Sequence, residues 1–279
     1  MRTARLNLLV ALALLAAGAG CTPAAGPATN GAVRSTSTAP SSAPSPPPSP
    51  EPAGTAATAP VVVLDPGHNG GNAAAAAEIA RPVPAGGFTK PCNTTGTQTA
   101  AGYPEHAFAF DVAQRTAGLL RAAGVTVVLT RSDDGGVGPC VDRRAATANE
   151  AGAALAVSIH ADGAAAGVRG FHVIEPAPAP DGGNQAVLEP SARAAAQLVT
   201  AFGAATGQPA ATYPAGLVRP GTTRRADLAG LNLARVPAVF IECANMRNAE
   251  DAAAVTDPGW RQRAAQGIAD GVLGYLRLR

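Results

Sequence analysis

Val61-Val62-Val63-Leu64-Asp65-Pro66-Gly67-His68 is the stretch on which the fold turns. Four aliphatic residues without a polar break read as a strand buried on both faces, and Asp-Pro-Gly is a turn signal that ends it. Working outward, the same kind of run recurs at Val125 to Leu129, Leu155 to Ile159 and Pro237 to Ile241, with a further strand at Gly170 to Ile174. Helical patterns separate these runs. Pro104 to Ala122 places Phe108, Val112 and Leu119 on one face and meets Gly124 as its stop; Val141 to Ala151 and Ser191 to Ala205 follow. Trp260, Ala264, Ile268, Val272 and Tyr275 space out the buried face of a terminal helix. Continuous aliphatic strands between helices imply an α/β domain, a three-layer αβα arrangement on a mostly parallel, twisted central sheet.

Upstream of Val61 the composition changes. Of 25 prolines in 279 residues, ten fall between Thr22 and Pro60, among Ser, Thr, Ala and Gly. Such a stretch cannot bury enough apolar surface to offset chain entropy, so residues 21–60 read as a disordered linker. Residues 1–20 have the layout of a signal peptide: two arginines in Met1 to Arg5, then Leu6 to Ala17, apolar except for Asn7. Cleavage after Ala19 would release the chain. Gly20-Cys21 instead resembles a lipobox, which would leave Cys21 lipidated and the protein on a membrane. Either way an exported protein of the cell envelope is expected, with one monomeric domain over residues 61–279. A net charge of +2 gives no basic field for nucleic acid.

Candidate chemistry gathers where strands end. His68 lies past the first strand, His160 follows Leu155 to Ile159, and Glu242 follows Pro237 to Ile241. Carboxyl ends of strands line the ligand crevice of open α/β sheets. Glu105 opens a helix and can face the same rim. Two histidines and a carboxylate form a common catalytic zinc shell with one position left for water, and a further glutamate beside that water would serve as general base.

The wording of these segments resembles the bacterial zinc-dependent N-acetylmuramoyl-L-alanine amidases (type 3). Val62 to Gly70 is similar to that family's opening strand and first zinc histidine, and Tyr103-Pro104-Glu105 to its second ligand. Thr130-Arg131, Arg144 to Asn149, Val157 to Asp162 and Pro237 to Glu242 follow in the family's order, with Asn248 and Glu250-Asp251 behind them. The resemblance implies one Zn2+ held by His68, Glu105 and His160, with Glu242 as the proton carrier. It further implies a peptidoglycan substrate, cut at the amide between N-acetylmuramic acid and L-alanine by zinc-activated water. Neighbouring helix positions point about 100° apart, so only one of Glu105 and His106 can face a metal, and the family pattern selects Glu105. After Glu242 the family usually continues Thr/Ser-Gly-Phe, whereas Cys243-Ala244-Asn245-Met246 stands here. Two other readings remain open: a zinc peptidase cutting within the stem peptide, and a wall-binding or metal-binding lipoprotein without turnover.

His172 falls inside a strand and reads as structural. Residues 72–102 form a Gly- and Ala-rich excursion expected as a flap over the cleft. If Cys21 carries lipid, three cysteines remain, and an exported chain favours pairing. Cys243 at a buried strand end reads as a small apolar residue, which pairs Cys92 with Cys140.

Intact-mass analysis of the membrane fraction is expected to find a mature chain beginning at lipid-modified Cys21; a soluble chain beginning at Gly20 would show cleavage after Ala19.

Overall fold

The computed structural model describes residues 58–277; the expected signal peptide, Cys21 and the expected linker as far as residue 57 lie outside them. In chain order the elements are β1 (Val61–Pro66), α1 (Ala76–Ile79), β2 (Pro82–Pro84), β3 (Thr89–Pro91), α2 (Glu105–Ala122), β4 (Thr126–Leu129) and α3 (Val141–Glu150). They continue with β5 (Leu155–Asp162), β6 (His172–Pro176), α4 (Leu188–Thr206), β7 (Leu217–Arg219), β8 (Thr222–Arg225), α5 (Ala229–Asn232), β9 (Ala238–Asn245), α6 (Ala249–Thr256) and α7 (Pro258–Leu276). Seven strands form one sheet in the order β4-β1-β5-β9-β6-β8-β7, and β2-β3 make a separate hairpin. β4, β1, β5 and β9 run parallel, β6 is antiparallel to β9 and parallel to β8, and β7 is antiparallel to β8.

The main core lies on one face. Val62, Leu64, Leu155, Val157, Ile159, Val239 and Ile241 meet Phe108, Val112 and Leu120 of α2, Leu198 and Phe202 of α4, and Trp260, Ile268 and Val272 of α7. On the other face two smaller clusters form: Val63 with Ala148 and Ala153, and Ile174 with Leu231, Ala234 and Ala238. Alternation along each strand thus divides the sheet residues between two helical layers, the αβα arrangement expected.

Capping sets α7 and α6. Asp257 accepts hydrogen bonds from the amides of Gly259 and Trp260 ahead of Pro258 at the first turn, and Asn248 does the same for Glu250 and Asp251. α2 begins at Glu105, one residue after Pro104, so the helix start fixes where that carboxylate stands.

Three features depart from the sequence reading. β7 and β8 are strands without an aliphatic pattern. Their stretch Thr222-Thr223-Arg224-Arg225 pairs beside β6, where the buried Glu175 carboxylate receives Arg219 and Arg224. β5 and β9 run past Ile159 and Ile241, so His160 and Glu242 sit within strands and not just beyond them. The expected flap is a packed wall. Residues 72–102 hold the hairpin, Asn72 donates to the Thr94 carbonyl at 2.8 Å, and Lys90 donates to the Asp227 carbonyl at 2.7 Å. Cys92 is bonded to Cys140 across 48 positions, and Cys243 is free and buried. Closing a loop of that length restricts the unfolded chain by about 4 kcal/mol in the entropy model.

The end of β1 is fixed by two arginines. Asp65 accepts from Arg144 at 2.6 Å, Ser158 at 2.6 Å and Thr130 at 2.5 Å. Arg144 also donates to the carbonyls of Pro66 at 2.6 Å and His68 at 2.7 Å, while Arg131 donates to those of Pro66 and Gly67. Burial alone would raise the Asp65 carboxyl, but Arg144 and the two hydroxyls outweigh it and hold the group down at about 2. A folded-state value below the ordinary 3.8 means a contribution to stability that is complete above about pH 4 and lost as the pH falls toward 2.

Asp65→Ala is expected to lower unfolding free energy by roughly 3–5 kcal/mol in urea melts, since it strands the buried Arg144 charge. The loss should shrink between pH 4 and pH 2, where the wild-type carboxylate itself takes up a proton.

Candidate functional site

The turn after β1 carries His68 into the cleft with φ at 57°, a left-handed conformation that a residue with a Cβ adopts at a cost of about 1 kcal/mol or more. Arg144 holds its carbonyl, and the Thr94 carbonyl accepts from its ring Nδ1 at 3.0 Å. With Nδ1 so engaged, Nε2 is left as the donor atom and lies 3.1 Å from Glu105 Oε1. His160 Nδ1 approaches the same Oε1 at 2.8 Å. The other Glu105 oxygen accepts from the Thr97 amide at 2.9 Å. One ligand atom from each of His68, Glu105 and His160 falls within 4.8 Å of the others. Two imidazoles and a carboxylate converging in this way have the donor set and openness of a three-ligand zinc site. The residues fit such an ion.

Electrostatics agrees with the assignment. Burial opposes the charged form of Glu105, but the two adjacent histidines overcome it and hold the carboxyl well below the usual range. Glu242 stands in register with His160 on the next strand, on the same face, and both line a cleft of about 280 Å³ with His68 and Glu105. Its carboxyl is pushed up to about 8, chiefly by burial, with His160 opposing and the nearby Glu105 and Asp162 adding to the rise. A carboxyl with proton affinity near neutrality can both take up and release a proton.

The structure therefore brings His68, Glu105, His160 and Glu242 to one cleft. His106 turns the other way, its Nδ1 2.9 Å from the Asp134 carboxylate, which Arg131 also holds. His172, read as structural, lies in a strand as expected and pairs in register with Glu242 across β6 and β9.

Several contributors escaped the sequence reading. Thr97 acts through its main-chain amide and Thr94 chiefly through its carbonyl, with its hydroxyl also 3.1 Å from His68 Nδ1, so side-chain type carries little signal. Arg131 and Arg144 were visible as motif members without a role. Phe240 stacks on the His160 ring, centroids 5.3 Å apart and planes 13° apart. Gly67 and Gly96 leave room for the ligands. A Cβ on Gly67 would stand 2.3 Å from the His160 ring, and one on Gly96, whose φ is 80°, 2.8 Å from His68 and 2.9 Å from Glu105.

Comparison with known proteins gives a consistent result. The family model described as N-acetylmuramoyl-L-alanine amidase matches residues 62–274. The N-acetylmuramoyl-L-alanine amidase Rv3717 of Mycobacterium tuberculosis is 43% identical over 217 residues, covering 77% of this chain and 86% of that protein. Among solved structures, the N-acetylmuramyl-L-alanine amidase Ami1 of Mycobacterium smegmatis matches with a TM-score of 0.73 at 43% identity, covering 80% of this chain and 99% of that one. The apo form of Ami1 from Mycobacterium abscessus gives 0.71 at 43% identity, covering 78% and 98%.

Gly67→Ala is expected to drive the His160 ring from the cluster while leaving the sheet folded. Zinc titration against a competing chelator should show affinity reduced by at least about tenfold, the scale on which a misoriented ligand acts; wild-type affinity would contradict the packing described.

Proposed function

The chain belongs to the N-acetylmuramoyl-L-alanine amidase family, and on that premise we propose that it is an exported peptidoglycan hydrolase cutting the amide between N-acetylmuramic acid and L-alanine. The observation that carries the reading is the convergence of His68, Glu105 and His160 on one point with Glu242 in register beside it. A zinc ion held by those three residues would supply Lewis acidity, lowering the pKa of a water toward about 7 and stabilising charge on the attacked carbonyl oxygen.

The chain's own residues do the rest. Thr94 fixes the His68 tautomer, and Thr97 and the Ala161 amide fix the Glu105 carboxylate. Phe240 holds the plane of His160. Glu242 takes a proton from water as its oxygen bonds to the lactyl carbonyl carbon. It returns that proton to the nitrogen as the carbon–nitrogen bond breaks, which leaves a lactyl carboxylate and the free amine of L-alanine. The linker of residues 21–60 suits a domain that works at a distance from a membrane, with Cys21 as its lipid attachment. No helix among the described residues is long and apolar enough to cross a membrane.

Glu242→Gln should retain one zinc per chain and the wild-type melting profile while turnover of purified muropeptides falls about 10²- to 10⁴-fold, the usual share of a general base. The wild-type products should carry a new L-alanine amine; a cut inside the stem peptide would instead establish a peptidase, and turnover of E242Q within a few-fold of wild type would remove Glu242 from the chemistry.

A further inference from the structure

A second cavity of about 570 Å³ opens beside the first, and Asp162 lines both. Its floor belongs to the face of the sheet that carries the proposed proton donor. His172 of β6 pairs with Glu242 of β9, which pairs in turn with His160 of β5. Metal ligand, proton carrier and cavity floor therefore stand side by side on three adjacent strands.

That order gives the substrate a direction. The attacked carbonyl belongs at the ligand cluster, and the amide nitrogen must face Glu242 to receive its proton. Whatever is attached to nitrogen continues past Glu242 over His172. Strands are spaced about 4.8 Å apart, and one extended residue spans about 3.5 Å. The residue beyond L-alanine thus arrives over the second cavity.

The cavity is polar and not saturated by the protein. His172 is 4% exposed and Thr223 fully buried, and among the described residues neither His172 Nδ1 nor Thr223 Oγ1 has a hydrogen-bond partner. Burial pushes the His172 imidazole down to about 4, so it is neutral. Tyr213 forms the facing wall, edge-on to His172 with centroids 6.1 Å apart, and its hydroxyl donates to Asp162 at 3.0 Å. The acids here are engaged: Asp162 by Tyr213 and the Gly163 amide, Asp227 by Arg225 through Nε at 2.8 Å and Nη2 at 2.6 Å. Among the described residues no acceptor takes Arg225 Nη1. Asp65 and Arg144, by contrast, line the first cavity and not the second.

Building on the amidase reading, we propose that this second cavity is a subsite for the stem peptide, taking the residue after L-alanine with a carboxylate of that residue against Arg225. The subsite makes Arg225 a specificity-determining residue. Its guanidinium distinguishes a free carboxylate from the corresponding amide, since charge-assisted hydrogen bonds are about twice as strong as neutral ones.

The test uses the full zinc-loaded protein and two N-acetylmuramoyl-L-alanyl peptides that differ only at the second residue, one with a free carboxylate and one with its carboxamide. Wild type should favour the carboxylate peptide by about tenfold in kcat/KM. Arg225→Gln should reduce that preference to about twofold or less, and Arg225→Lys, which keeps the charge, should restore most of it. A wild type that does not discriminate overturns the subsite whether or not the variants fold, and so does a carboxylate-over-carboxamide preference that survives in Arg225→Gln. Wild-type failure on both peptides would overturn the amidase reading itself, an outcome separate from equal turnover of the two.

Discussion

The Asp65 carboxylate, buried at the end of the first strand, is what the cleft is built around. A carboxylate taken out of water must be compensated, and Arg144, Thr130 and Ser158 supply that compensation from three other parts of the chain. Arg144 brings more than charge: its remaining donors close on the carbonyls of Pro66, His68, Gly138 and Pro139. One ion pair therefore sets the path of the backbone through Gly67 and His68, including the left-handed turn that points His68 at the ligand cluster. Without it the His68 carbonyl would lose its donor, leaving the histidine free to relax.

The cluster itself is supported from two sides with different mechanical character. β5 and β9 place His160 and Glu242 through sheet register, the stiffest positioning available to a chain. Residues 92–97 have no ladder of that kind. They are held by the disulfide at Cys92, by Asn72 and by the Asn93 side chain bonded to the Pro139 carbonyl, and they present Thr94 and Thr97 to the two remaining ligands. The bond between Cys92 and Cys140 thus ties the support of His68 to the residue that precedes the Arg144 helix.

Legibility from sequence followed the physics of each element. Uninterrupted aliphatic strands can be buried only under helices on both sides, so Val61 to Leu64 and its counterparts disclosed the layers. Their strand ends disclosed His68, His160 and Glu242, and the family resemblance separated Glu105 from His106. β7 and β8 stayed hidden because a sheet margin stabilised by Glu175 with Arg219 and Arg224 needs no apolar pattern. The proximity of His172 to Glu242 was hidden for another reason: the strand direction reverses at β6, and nothing local in Gly170 to Ile174 encodes which neighbour it will meet. Main-chain donors and acceptors such as those of Thr94 and Thr97 are invisible in principle to a reading of side chains.

Lys90 is the chain's single lysine. It stands at the cleft wall on β3, with its ammonium on the Asp227 carbonyl. Amine-directed chemistry therefore addresses the folded domain at one place, beside the reacting centre. A fluorophore or a surface linker coupled there severs the tie between the hairpin and the loop that follows β8 and puts bulk where a polymer must enter. Immobilising or imaging this protein in working form calls for attachment at a chain end, while deliberate acylation of Lys90 offers a single-site means of obstructing the cleft.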